Sequence, residues 1–206
     1  MELLLHTFVT LFVVLDPIGI APMFVALVKH GDAAYQKRMA IRSTIIASSI
    51  LLVFFFIGDE LLKAMGIGLP AFRIAGGALL FLLSIDMIFA RHSGLRSTTI
   101  REQQEAELKN DISVFPLAFP LIAGPGALTT VLLMSTTPTT SGIVIGMLAI
   151  LIFVLLATLI SLLYALKLID ILGETGTNVI GRLFGLILAA LAAQYVVDGI
   201  KAAFIS

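Results

Sequence analysis

The chain contains no cysteine, no tryptophan and few charges. Without cysteine there is no disulfide, no thiolate metal site and no cysteine nucleophile. Without tryptophan, an aromatic belt at a membrane interface falls to three tyrosines and fourteen phenylalanines. Charged residues make up 13% of the 206, against roughly 25% in soluble domains. The 13 basic and 13 acidic side chains balance, which leaves no cationic footprint for nucleic acid. His6, His30 and His92 are dispersed near span ends, so no metal site is expected. No Ser–His–Asp set, HExxH helix or P-loop occurs, so neither an enzyme nor a self-contained ATP-driven pump is expected. What is abundant is apolar: 59% of residues are hydrophobic and mean hydropathy is +1.11. That balance excludes a soluble globular domain and a disordered chain.

A spanning helix needs about 20 apolar residues, and six stretches qualify. Span 1 covers about 3–28, span 2 about 39–62 and span 3 about 70–90. Span 4 covers about 112–135, span 5 about 142–166 and span 6 about 178–204. The longest polar stretch, 91–111, reads as a linker between a first unit at 1–90 and a second at 112–206, within one membrane domain. A Thr/Pro/Ser turn precedes span 5. A short loop with Asp170, Glu174 and Gly176 precedes span 6. The N-terminus lacks the basic region and cleavage site of a signal peptide, so span 1 is expected to stay in the mature protein.

Lys and Arg set the expected orientation. The loops after spans 1, 3 and 5, with their flanks, hold Lys29, Lys37, Arg38, Arg42, Arg91, Arg96, Arg101, Lys109, Lys167 and Arg182. The other side holds only Lys63, Arg73 and Lys201. The positive-inside rule then puts the basic loops in the cytoplasm and both termini outside.

The two halves resemble each other. Placing Pro17 opposite Pro125 brings Arg73 within one residue of Arg182. From those arginines onward, Gly76 meets Gly185, and Asp86 falls one position from the place of Gln194. Three spans per half is odd, so two such halves must sit in opposite orientations, the pattern of secondary transporters. The expected fold is all-α: six transmembrane helices as an inverted 3+3 repeat, with broken helices in spans 1 and 4.

The breaks come from local chemistry. Span 1 carries Asp16, Pro17, Gly19 and Pro22 in an apolar run. Each proline removes a backbone donor and clashes with the carbonyl four residues back. Asp16 before Pro17 matches an N-cap followed by proline at the first helical position. About 13 residues into the span, Asp16 lies roughly 20 Å along a helix axis. Span 4 carries Pro116, Pro120, Gly124, Pro125 and Gly126, with Ala127, Thr129 and Thr130 just beyond. Half-helix ends meeting at mid-depth would present N–H groups to an anion, while Asp16 and freed carbonyls would hold a cation or proton. Two structural kinks are the plainer alternative, with Asp16 only capping the break. An ionisable residue at this depth is a functional candidate by default.

Other polar groups keep two readings each. Arg73 and Arg182 either snorkel to headgroups or pair inward, Arg73 with Asp59 or Glu60. Asp86 either reaches the interface with Arg91 or acts as a second ion-coupling carboxylate. Gln194 is expected to bond across helices rather than to substrate. Ser43, Thr44, Ser48, Ser49, Gly76 and Gly77 suit close helix packing.

The stretches "LDPIGIAPMF" and "FPLIAGPGALTT" with six spans make the whole chain resemble the MarC family of bacterial and archaeal inner-membrane proteins. The resemblance places family motifs on Asp16, Pro17, Gly19 and Pro22, and on Pro120, Gly124, Pro125, Gly126 and Ala127. It implies six spans with periplasmic termini. Some related members look like transporters of small neutral amino acids such as glycine and alanine. The leading expectation is therefore a secondary transporter of that class, coupled to a Na+ or H+ gradient and without a cofactor. Substrate would lie at Asp16, Pro17, Gly19, Gly124, Gly126, Ala127 and Thr129. Asp16 and Asp86 are the ion-coupling candidates, and Arg73, Arg182 and Gln194 the supporting polar groups. The alternatives are a drug or metabolite exporter and a non-transporting membrane protein. The expected partners are the bilayer and a small solute; a homo-oligomer stays open.

Overall fold

The computed structural model describes residues 2–29, 31–89, 111–137 and 140–204. The linker at 91–110, with Arg91, His92, Arg96, Arg101, Gln104 and Lys109, lies outside the described residues. So do His30 and the centre of the turn at 138–139.

The described residues are helical and contain no strand. The helices are α1 (Glu2–Leu15), α2 (Ile20–Val28), α3 (Ala33–Ala64), α4 (Leu69–Phe89), α5 (Pro125–Ser135), α6 (Ser141–Leu163) and α7 (Ala165–Phe204). Ser113–Ile122 is an irregular coil of wide turns, interrupted by extended backbone at Phe115 and Phe119. Five runs are long and apolar enough to cross a membrane: Glu2–Val28, Ala33–Ala64, Leu69–Phe89, Ser141–Leu163 and Thr175–Phe204. Ser113–Ile122 and Pro125–Ser135, bent by 60° where they meet, make a sixth if the bent pair is counted as one span. These six runs match the expected spans within a few residues, except that span 2 begins earlier, at Ala33.

Sequence signals explain most ends. Asp32 caps α3 by accepting the Tyr35 N–H at 2.7 Å. α3 stops at Gly66, whose φ of +69 suits a residue without Cβ. There the Ile67 N–H donates back to the Leu62 carbonyl. The segment before span 6 differs from the expected loop. It is a helical arm of α7 that turns at Gly173, where φ is +67. Positive φ at glycine carries no Cβ penalty, so the arm and the span form one element with a sharp break.

The α2–α3 connection, the α6–α7 connection and the start of span 4 come together at one end. Arg42 near the start of α3 pairs with Asp111 at the entrance to span 4. One cleft is lined by residues from both the α2–α3 and α6–α7 connections. The Ser113 hydroxyl and N–H donate to the Asp111 carboxylate, which, with lesser help from Arg42, holds its pKa below the ordinary value. Asp111 thereby ties the entrance of span 4 to span 2.

Packing follows small residues. Lipid tails are as apolar as leucine, so helices in membranes associate by close van der Waals fit. The longest seam joins α4 to α7, which run antiparallel. Gly77 of α4 lies against the Ala192 carbonyl and Val196 of α7, while Gly185 of α7 lies against Met87 and Ile88 of α4. Ser43 and Thr44 are buried with hydroxyls turned to the Ala40 carbonyl. Ser49, by contrast, is exposed and bonds within its own helix.

Span 1 packs on span 5, and span 4 on span 2. Span 3 also touches span 4, and span 6 touches span 1. Span 1 is the most enclosed of the five continuous runs, 56% buried against 22–33% for the others. The span 4 segment is also largely buried. Span 1 and the bent segment at 113–135 therefore lie inside, with the other four runs around them.

Candidate functional site

Helix α1 stops at Leu15 and α2 begins at Ile20. Asp16 sits in the gap with φ +42, a left-handed conformation that Asp tolerates better than most residues. Its carboxylate accepts the Gly19 N–H at 2.9 Å, the bond an N-cap makes to the third residue beyond it. α2 itself begins at Ile20 with Gly19 at its N-cap position and no side-chain cap, so Pro17 lies in the turn before the helix rather than at its first position. Asp16 is only 2% exposed. A Cβ on Gly19 would lie 2.0 Å from Asp16 Oδ2, so the glycine is what leaves the carboxylate its place.

Backbone accounting at this gap is nearly closed. The Asp16 N–H donates to the Phe12 carbonyl, and the Asp16 carbonyl accepts from the Ile20 N–H. The Pro17 carbonyl, expected to be free, accepts the Ser161 hydroxyl from span 5. Sequence reading missed Ser161, because a lone serine in an apolar helix carries no periodic signal. Ser161→Ala should lower thermal stability by about 1 kcal/mol, the scale of interhelical bonds in membranes. Ser161→Thr, which keeps the hydroxyl, should lose less. Identical melting of the two variants in detergent would contradict the bond.

The second gap lies at 123–124. Wide turns mark the approach to it: the Leu117 and Ala123 N–H groups donate to carbonyls five residues back. Both Phe115-Pro116 and Phe119-Pro120 are cis. Gly124 is extended, and Pro125 opens α5. No side chain caps this helix, so its first-turn amides lack the partner that Asp16 gives Gly19. Thr130, one turn on, is fully buried, and its hydroxyl has no hydrogen-bond partner.

Gly126 lies against Leu80 and Leu83 of α4 and Val14 of α1, two residues from Asp16. Leu80 and Leu83 occupy that side, so little room is left beside Gly126. Thr129 packs its methyl onto Gly76, and Ala127 is buried. The structure thus gathers Asp16, Pro17 and Gly19 at one gap and Gly124, Gly126, Ala127 and Thr129 at the other, with Val14 and Gly126 in contact between them.

The supporting polar groups lie elsewhere. Gln194 does not bond across helices; it is exposed and donates to Asp198 one turn on, at 2.8 Å. An i, i+4 partner of matching chemistry on the same face satisfies the amide without a neighbour. Asp59 is taken by Lys63 at 2.6 Å rather than by Arg73. Arg73 is partly buried and faces the Tyr195 side of span 6, where Asp198 also acts on that phenol. Thr10 lies buried close to Tyr195, outside hydrogen-bond geometry. Arg182 is exposed, as a snorkelling side chain would be. Asp86 is partly buried; its expected partner Arg91 is outside the described residues. Sequence reading passed over Tyr195 and Asp198.

Residues 1–204 match the sequence model of a family described as MarC family integral membrane protein. The chain belongs to the MarC family. Relatives extend across bacteria and archaea. The UPF0056 membrane protein of Archaeoglobus fulgidus is 33% identical, covering 97% of this chain and 93% of the relative. The UPF0056 membrane protein YvbG of Bacillus subtilis is 36% identical, covering 98% and 95%. The UPF0056 membrane protein YhcE of Escherichia coli is 33% identical, covering 96% and 91%. No solved structure matches the chain. Family membership makes it a multi-pass integral membrane protein, so the apolar outer faces of the helices meet lipid.

Proposed function

We propose that this MarC-family protein is a secondary transporter built as an inverted 3+3 repeat. It carries a small neutral amino acid of the glycine and alanine class under a Na+ or H+ gradient. The observation that carries the reading is a buried carboxylate, Asp16, at an interruption in the most enclosed span. It lies beside a second interruption whose helix start is uncapped.

Irregular backbone at membrane depth is tolerated only where protein or a cavity surrounds it. A zwitterion asks for two complementary poles. Asp16 offers one to the substrate ammonium or the coupling cation, and the α5 N-terminus offers the other to a carboxylate. The Thr130 hydroxyl adds a polar group that lacks a protein partner.

The packing supports the repeat. Exchanging the halves turns span 1 on span 5 into span 4 on span 2, and span 3 on span 4 into span 6 on span 1; all four contacts occur. Gly77 against Val196 similarly exchanges, within one residue, with Gly185 against Met87. Basic residues clustered on the loops after spans 1, 3 and 5 favour termini outside the cytoplasm. The missing nucleophile–base set favours a transporter over an enzyme.

Ligand-dependent melting of the purified protein tests the reading. Glycine or alanine at about a hundredfold excess over Kd stabilises by about 2.7 kcal/mol, and the melting temperature should rise with Na+ or H+ present. Leucine and phenylalanine should leave it unchanged. A flat melting temperature for every small amino acid, with either cation, would remove the proposal.

A further inference from the structure

A cleft of about 500 Å³ opens where the α2–α3 and α6–α7 connections meet. That is within the roughly 300–1,000 Å³ of small-molecule sites. Phe24 and Val25 of α2 and Leu162 and Leu163 of α6 form an apolar wall. Two helix starts face it: Ala33, Gln36 and Lys37 from the first turns of α3, and Ala165, Leu166 and Lys167 from the first turn of α7. No carboxylate lines the cleft among the described residues. Asp32, next to it in sequence, is turned onto the Tyr35 N–H.

Charge and shape point the same way. Lys37 and Lys167 are exposed at the rim, and neither has an ion-pair partner among the described residues. Lys167 rests near the Tyr164 ring, 5.6 Å from its centroid, which holds its stem over the cleft mouth. The nearby basic groups are engaged elsewhere: Arg42 pairs with Asp111, and Arg38 lies over the Tyr35 ring. Gln36 is also committed, to the Gly31 carbonyl. Two ammonium groups therefore converge on an apolar recess at the membrane surface. Basic pockets between spans at this level suit anionic headgroups.

We infer that this cleft is a binding site for an anionic phospholipid. The headgroup phosphate sits between Lys37 and Lys167, and an acyl chain lies along Phe24, Val25, Leu162 and Leu163. The site joins the α2–α3 connection to the α6–α7 connection, so bound lipid clasps span 1 to span 5 at the end of the contact that Ser161 makes with Pro17. This inference is independent of the proposed transport function.

Native mass spectrometry of the intact protein released from nanodiscs of equal phosphatidylglycerol and phosphatidylcholine tests it. Phosphatidylglycerol should be retained at least about tenfold over phosphatidylcholine, the scale expected from two interfacial lysines. The double variant Lys37→Gln, Lys167→Gln should lose that preference about tenfold. Lys201→Gln, at the opposite end, should keep it. Both lysines are exposed, so the double variant should melt like the wild type in detergent without added lipid. Equal retention of the two lipids, or unchanged preference in the double variant, would overturn the site. So would complete displacement of phosphatidylglycerol by millimolar inorganic phosphate, which would assign the cleft to a free anion.

Discussion

Asp16→Asn should cut gradient-driven solute accumulation about 10- to 100-fold while leaving the protein folded. The scale is that of a lost charge-assisted bond, roughly 1.5–3 kcal/mol. The variant is well matched to the position. Asn keeps an oxygen to accept the Gly19 N–H, now made at 2.9 Å. It also tolerates the left-handed backbone that Asp16 adopts at φ +42. Only the charge is removed. Gly19→Ala is the complement, because its Cβ would fall 2.0 Å from Asp16 Oδ2 and push the carboxylate aside with its charge intact. Both variants should lose accumulation. Normal activity in Asp16→Asn would reduce Asp16 to a cap.

Gly77→Ala should cause a large loss of stability at the seam between spans 3 and 6. The added Cβ would lie 2.8 Å from the Ala192 carbonyl oxygen and 3.0 Å from the Val196 nitrogen. Backbone cannot rotate away as a side chain can, so the helices must separate, at a cost of about 1–3 kcal/mol. Gly181→Ala is the matched control. It lies on the same seam helix with nothing within 4 Å of its Cβ position, and helix propensity favours the change by roughly 0.5–1 kcal/mol. Thermal melting in detergent should separate the two clearly. Equal melting would mean that this seam does not hold the fold.

The spans were legible because length and hydropathy act through a simple constraint: backbone in lipid must be satisfied within its own helix. The gap at Asp16 was legible for the same reason, since proline and an ionisable residue both disrupt that pattern. Contacts between spans were less so. Nothing in the sequence places Leu80 and Leu83 against Gly126, where the structure packs them. Gln194 reads as an interhelical group, yet Asp198 on its own face satisfies it. The Gly173 arm was hidden because a single glycine does not distinguish a loop from a helix break. Ser161 became visible only when span 5 was placed against Pro17.

Uptake of labelled glycine and alanine into liposomes holding the purified protein, under imposed Na+ or H+ gradients, tests the transport proposal most directly. Asp16→Asn runs beside the wild type. Accumulation above equilibrium by the wild type, lost in the variant, is the expected result. Folded wild-type protein that accumulates neither solute under either gradient would contradict it.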